Sequence, residues 1–329
     1  MDSPYAGKQV LVTGGLGFIG SNLAIRLVEL DARVTLVDAL LPDLGGNLFN
    51  IAPVEGRVRV ELSDLRDRRV ATELVPGKDV VFCLAGQVSH VDSMEDPLSD
   101  LEINCRTQLS ILEGCRRLNP EARIVFAGSR QQYGRPHYLP VDEQHPLDPA
   151  DINGIHKAAA ESAVLLYDRV YGLAGCSLRL TNTYGPRMQM RHPRQGFVPW
   201  FIRLALEGRE IELFGGGSAL RDFNYVDDVV DAFLSCGVDN GAVGKIFNLG
   251  HPEPVSLREF TSMLLEAAGG DGSVHEVPFT EERARIDVGS VYADFRKIRE
   301  TLGWRPKIHL REGLERTISY YRAHRERYW

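Results

Sequence analysis

Residues 10–23 read VLVTGGLGFIGSNL. A β-branched apolar run ends in Gly14, Gly15, Gly17 and Gly20, and a helical pattern begins among those glycines. A strand that turns on glycines into a helix brings backbone N–H groups close to a phosphate, and the helix N-terminus favours the anion. Phe18 and Ile19 belong to the same predicted cofactor turn. The surroundings make the motif specific. Asp38 closes the next apolar run 18 residues after Gly20, where a carboxylate can hold ribose hydroxyls. Residues 39–50 contain no Lys or Arg to receive a 2′-phosphate, so NAD is predicted rather than NADP.

Outward from this unit, QVLVT, RVTLVD, RVRVEL, DVVFCLA, ARIVFAG and GCSLRLT read as buried strands. Amphipathic stretches near 18–30, 67–75, 97–118 and 150–172 lie between several of them. Buried strands alternating with helices predict an α/β fold, a doubly wound Rossmann-like parallel sheet covered on both faces. After about residue 186 the pattern changes to helices, short strands, a glycine-rich turn (FGGGSAL) and a proline-rich connection (HPEPVS). The expected organisation is a dinucleotide lobe over 1–186, rejoined by roughly 221–250, and a smaller α/β substrate lobe over 187–329. A ligand then lies at the carboxyl ends of the strands. Asp64 and Leu65 after the third run, and Leu84, Ala85 and Gln87 after the fourth, stand at such ends and are predicted to face the cofactor.

Composition narrows the function classes. Of 329 residues, 43% are apolar and 25% charged, as in ordinary globular proteins. The net charge is -7 and no Lys/Arg stripe suits nucleic acid or anionic lipid. The cysteines, Cys83, Cys105, Cys115, Cys176 and Cys236, are odd in number and lack a CxxC pair, which suggests buried thiols in a reducing compartment. Neither the histidines nor the carboxylates fall into a metal-ligand spacing, so no metal is expected. Without a signal-peptide pattern or an 18-residue apolar run, a cytoplasmic location away from membranes is the expectation.

Several further motifs accompany the glycine turn: LAGQVSHVDS followed by Asp96-Pro97, Asn104, GSRQQYG, INGIHK, RLTNTYGP, RDFNYVDDVV, FNLG and ADFRKIRETLGWRP. Together they resemble the extended short-chain dehydrogenase/reductases, in particular the NAD-dependent nucleotide-sugar epimerase/dehydratase family, nearly end to end. The resemblance implies a nucleoside-diphosphate sugar as substrate. It also implies hydride transfer from a sugar carbon, usually C4, to the nicotinamide while a base takes the hydroxyl proton.

The resemblance assigns Ser129 to the reacting hydroxyl and Lys157 to the nicotinamide ribose and to lowering the pKa of a catalytic tyrosine. That tyrosine is expected four residues before the lysine, where this chain has Asn153. A phenol of pKa about 10 can be tuned into a base, whereas an amide has no comparable proton to lose. His90, whose loop QVSHVDS lies near the sugar in the family, is the first replacement, Tyr133 the second, and His156 and Tyr184 follow. The resemblance further places Gln87 and Asn104 near the cofactor, Ser89 and Ser93 near the sugar, and Asn182, Arg187 and Arg221 near the pyrophosphate. Arg285 stands one place off the family's late arginine.

Sugar 4,6-dehydratases of the family carry an acidic pair after the catalytic Ser/Thr, whereas this chain has Arg130 and Gln131. An NAD-dependent nucleotide-sugar epimerase is therefore expected, at C4 rather than C2, although LAGQVS, DLEIN and QGFVPWF resemble a CDP-tyvelose 2-epimerase. The alternatives are a catalytically silent binder of NAD and a nucleotide sugar, a dehydratase, and a carbonyl reductase. A homodimer through the helices at 97–118 and 150–172 is also implied.

Overall fold

The computed structural model describes residues 3–278 and 287–329. The sheet is seven-stranded and every pair in it is parallel. Its strands are β1 (Gln9–Thr13), β2 (Arg33–Asp38), β3 (Arg59–Leu62), β4 (Val80–Cys83), β5 (Arg123–Ser129), β6 (Gly175–Leu180) and a last strand, Ile246–Leu249. The spatial order is β3, β2, β1, β4, β5, β6 and then Ile246–Leu249. The chain winds outward from β1 through β2 to β3, then crosses back to start β4 beside β1. That reversal leaves a crevice at the carboxyl ends of β1 and β4.

Successive residues of a strand point to opposite faces, and the two cores follow that rule. Val10 and Val12 of β1 join one cluster while Leu11 joins the other; Val125 and Ala127 part from Ile124 and Phe126 in the same way along β5. On one face lie α1 (Phe18–Glu29) and the helix Val226–Val238, which contributes Val229, Val230 and Phe233. On the other lie α2 (Arg68–Leu74), α5 (Thr107–Leu118) and α6 (Ile152–Tyr171). Asp151 caps α6 by accepting the Gly154 N–H at 2.7 Å, and Gly172, at φ 70°, ends it in the left-handed region where a side chain would be strained.

Beyond β6 the chain adds a short parallel pair, Asn182–Tyr184 with Phe223–Tyr225, and a second parallel pair, Ile211–Phe214 with Val274–Val277. Phe223 and Phe260 stack with centroids 4.4 Å apart, tying the helix Leu257–Ala267 to this region. Among the described residues no helix is long and apolar enough to cross a membrane.

Candidate active site

The principal cleft lies over the crevice and is lined by the 14–20 turn, Asp38, Leu44, Asp64, Leu65, Leu84 to Gly86, Ser129 to Gln131, Lys157 and Asn182. Thr13 Oγ1 accepts the N–H groups of Leu84 and Ala85, both at 3.0 Å, and so binds the end of β1 to the loop after β4. The turn needs its glycines. Gly14 has φ 65°, and a Cβ on Gly20 would stand 2.2 Å from the Gly14 carbonyl oxygen. Gly17 begins α1 without any side-chain cap, leaving its first N–H groups for an anion.

Asp38 ends β2, where its two carboxylate oxygens accept from Leu16 N at 3.1 Å and Leu40 N at 2.9 Å. Each oxygen keeps a lone pair for a ribose hydroxyl. Asp64 is fixed by Arg66 at 2.5 Å, and that hydrogen-bonded guanidinium holds its carboxyl below the usual range. The loop at Leu44 to Gly46 completes this wall, with a Cβ on Gly46 falling 3.1 Å from Asp38 Oδ1. Sequence reading did not find that loop, although its LPDLGG composition is a turn signal.

Ser129 ends β5. Its Oγ donates to Gln131 Oε1 at 3.0 Å and accepts the Gln131 N–H at 3.2 Å. Gln131 Nε2 in turn lies 2.7 Å from His90 Nε2 and 3.1 Å from His90 Nδ1. His90 Nδ1 contacts the Asp151 carboxylate. His90 begins α3 (His90–Glu95) and remains 43% exposed toward the cleft, whereas Asp151 is buried. Arg130 lines the same cleft, and among the described residues its guanidinium has no hydrogen-bonding partner.

Lys157 Nζ also reaches the cleft, 3.4 Å from the Ala127 carbonyl oxygen and 5.4 Å above the Phe126 ring. Burial pushes its pKa down to about 8, opposed by the negative charge of Asp100. A Cβ on Gly86 would fall 2.7 Å from Lys157 Nζ, so the glycine makes room for the ammonium.

Asn153 lies beneath this surface, fully buried and off the cleft wall. Its Nδ2 donates to the Gln87 carbonyl oxygen at 2.7 Å, to Asp100 Oδ2 at 2.9 Å and to Gln87 Oε1 at 3.2 Å. Asp100 Oδ2 accepts from Asn104 at 3.0 Å, and Asp100 Oδ1 lies 2.6 Å from His156 Nδ1. Gln87 and Asn104 exchange bonds of 3.1 Å in both directions. Gln87 and Asn104, expected near the cofactor, are tied with Asn153 into a buried amide and carboxylate scaffold that supports the loop after β4.

Other expectations change with the geometry. Tyr133 is buried away from the cleft wall with its hydroxyl donating to Asn248 Oδ1 at 2.7 Å, and burial pushes its pKa up to about 12. Tyr184 is likewise buried, its hydroxyl on the Leu310 carbonyl oxygen at 3.2 Å, and His156 faces Asp100. Ser89 Oγ caps α3 by accepting Asp92 N at 3.1 Å, and Ser93 Oγ donates to the His90 carbonyl oxygen at 2.8 Å, so both serve the loop rather than the cleft. Arg187 is committed to the Asn50 carbonyl oxygen at 2.9 Å and Asn22 Oδ1 at 2.8 Å. Arg221 turns onto the carbonyl oxygens of Leu220 and Gly289 and is not part of the cleft wall. Asn182 is in that wall, with Nδ2 donating to the Asp222 carbonyl oxygen at 3.0 Å. Arg285 lies outside the described residues.

The sequence profile described as the NAD dependent epimerase/dehydratase family matches residues 10–250. The chain belongs to this family. It is 36% identical over 315 residues to a putative UDP-glucose 4-epimerase of Methanocaldococcus jannaschii, covering 94% of this chain and 97% of that protein. It is 34% identical to a dTDP-glucose 4,6-dehydratase of Streptomyces griseus, covering 96% of this chain and 94% of that one. The crystal structure of a UDP-glucose 4-epimerase from Thermotoga maritima with UDP-glucose superposes with a TM-score of 0.88 at 30% identity, over 96% of this chain and 99% of that one. As an NAD dependent epimerase/dehydratase, the chain is an enzyme of nucleotide-sugar chemistry with NAD as cofactor. The uncapped helix start, the glycine cradle and Asp38 fit that cofactor.

Proposed function

We propose that this enzyme is a nucleoside-diphosphate-sugar 4-epimerase in which His90 takes the hydroxyl proton that a tyrosine takes elsewhere in the family. Bound NAD supplies a reversible hydride acceptor. Ser129 orients the reacting hydroxyl and Lys157 provides positive charge beside the cofactor ribose. His90 holds the proton while the sugar is a ketone and returns it on reduction of the opposite face. Asn182 contacts the pyrophosphate.

The observation that carries this reading is the meeting of Ser129, Lys157 and His90 in one cleft with the dinucleotide turn, while Asn153 is buried outside it. Ser129 alone can donate but is a poor proton acceptor, whereas an imidazole nitrogen with a free lone pair can take the proton. Arg130 and Gln131 cannot serve as an acid and base pair for elimination, which favours epimerisation over dehydration. A homodimer belongs to the same reading: Ile155, Leu166 and Val170 lie on one face of α6 and are 47%, 42% and 56% exposed.

A panel of UDP-, dTDP-, CDP- and GDP-sugars followed by proton NMR in deuterated water tests the proposal. The expected product is the C4 diastereomer without carbon-bound deuterium. Deuterium beside the former ketone would point to elimination or enolisation, and a deoxy product would establish elimination.

A further inference from the structure

Asp151, His90, Gln131 and Ser129 form a continuous hydrogen-bonded chain, although the first two stand 61 residues apart in sequence. Asp151 is 7% exposed, and one of its carboxylate oxygens is already occupied by the Gly154 N–H at the start of α6. Burial favours the neutral carboxyl, but hydrogen bonding and charge from His90, the Gly154 N–H and the Arg130 charge together outweigh it and hold the Asp151 pKa below its ordinary value.

An ionised carboxylate only accepts. The His90 nitrogen against Asp151 must therefore carry hydrogen. In a neutral imidazole the other nitrogen, Nε2, then presents a lone pair, and Gln131 Nε2 stands 2.7 Å away as its donor. At its other end the Gln131 carboxamide accepts from Ser129 Oγ at 3.0 Å. A sugar hydroxyl between Ser129 and His90 would make the same pair of bonds with the same polarity, accepting from the serine and donating to the imidazole.

We infer that Asp151 is a positioning residue that fixes His90 in the Nδ1–H tautomer, with Nε2 directed at the site of proton transfer. The catalytic part of this inference rests on the epimerase reading; the tautomer does not. In the reaction the O–H bond breaks and its proton joins His90 Nε2. The electron pair of that bond forms the carbonyl as C4 gives up its hydride, for which bound NAD would supply the acceptor. Asp151 stays ionised and stabilises the imidazolium, and the proton returns when the ketone is reduced. The charged groups around this pair are Asp151 at the start of α6, Arg130 after β5, and Asp92 on the same helix as His90, itself paired with Arg194.

The test combines long-range proton–nitrogen NMR of histidine-labelled protein with kinetics of Asp151→Asn, whose oxygen can still cap α6. His90 in the ligand-free wild type is expected as the Nδ1–H tautomer, assigned by loss of its signals in His90→Gln. Asp151→Asn should shift it toward Nε2–H and lower kcat about 100- to 10,000-fold, the range of general-base catalysis, with the wrong tautomer in a Ser-His-Asp triad at its upper end. KM for the sugar should change by less than about threefold, and the pH dependence of kcat should move. An Nε2–H tautomer in the wild type, or wild-type kcat and pH profile in a folded Asp151→Asn protein, would overturn the inference. A wild type that converts no nucleotide sugar yet shows the Nδ1–H tautomer would count against the epimerase reading and leave the Asp151–His90 arrangement standing.

Discussion

Asn153 Nδ2 lies 2.9 Å from Asp100 Oδ2. At the position where the family resemblance expects a tyrosine, this chain has a side chain that faces a buried carboxylate and holds the loop after β4.

Restoring the aromatic side chain is expected to do harm. Asn153 is 0% exposed, so Asn153→Tyr must either overpack the interior or swing outward and leave Asp100 without one of its donors. Overpacking costs about 1–3 kcal/mol and an unsatisfied buried partner a similar amount. Thermal denaturation should show a lower Tm, and no gain in turnover should accompany it. Higher kcat with unchanged Tm would show that the site still accepts a tyrosine base.

Lys157 gives a pH prediction. Its folded pKa, about 8, lies below the ordinary 10.5, so the folded state binds fewer protons than the unfolded state between those values. Stability of the ligand-free enzyme from this group is lowest below pH 8 and rises as pH increases from 8 toward 10.5. The full effect is on the order of 3 kcal/mol. Lys157→Met should remove that rise, raise Tm at pH 7 and abolish turnover, as measured by urea titrations across pH and by activity. A flat stability profile in the wild type would contradict the placement of a charged amine in this buried site.

The exposed face of α6 predicts an assembly. Light scattering should give about twice the 36.7 kDa chain mass, and Leu166→Glu with Val170→Glu should return the monomer. Placing charge on both residues leaves the folded core untouched, because Leu166 and Val170 are 42% and 56% exposed. A wild-type monomer at micromolar concentration would refute the dimer.

Fold and cofactor turn were legible because they follow local rules. QVLVT and RVTLVD are strands by composition, the glycines mark a turn a few residues long, and Asp38 lies at a fixed distance from them. The reacting end depends on pairs that linear spacing does not connect. Asp100 and Asn153 are 53 residues apart, and nothing in DLEIN or DINGIHK announces that one will bind the other. Asp151 carried a signal only as a helix cap, which accounts for one of its oxygens and not for the one on His90. Arg187 and Ser93 show the same limit: their hydrogen bonds go to backbone carbonyl groups that only the folded chain brings within reach.

The central claim, that His90 is the proton acceptor, is tested most directly by comparing wild type and His90→Ala on whichever nucleotide sugar the wild type converts, with NAD saturating and Tm monitored in parallel. The expected result is a fall in kcat of about 100- to 10,000-fold, the scale of general-base catalysis, in a protein that stays folded with a Tm lowered only modestly by the loss of Asp151's partner. Turnover by folded His90→Ala within about threefold of wild type would contradict it.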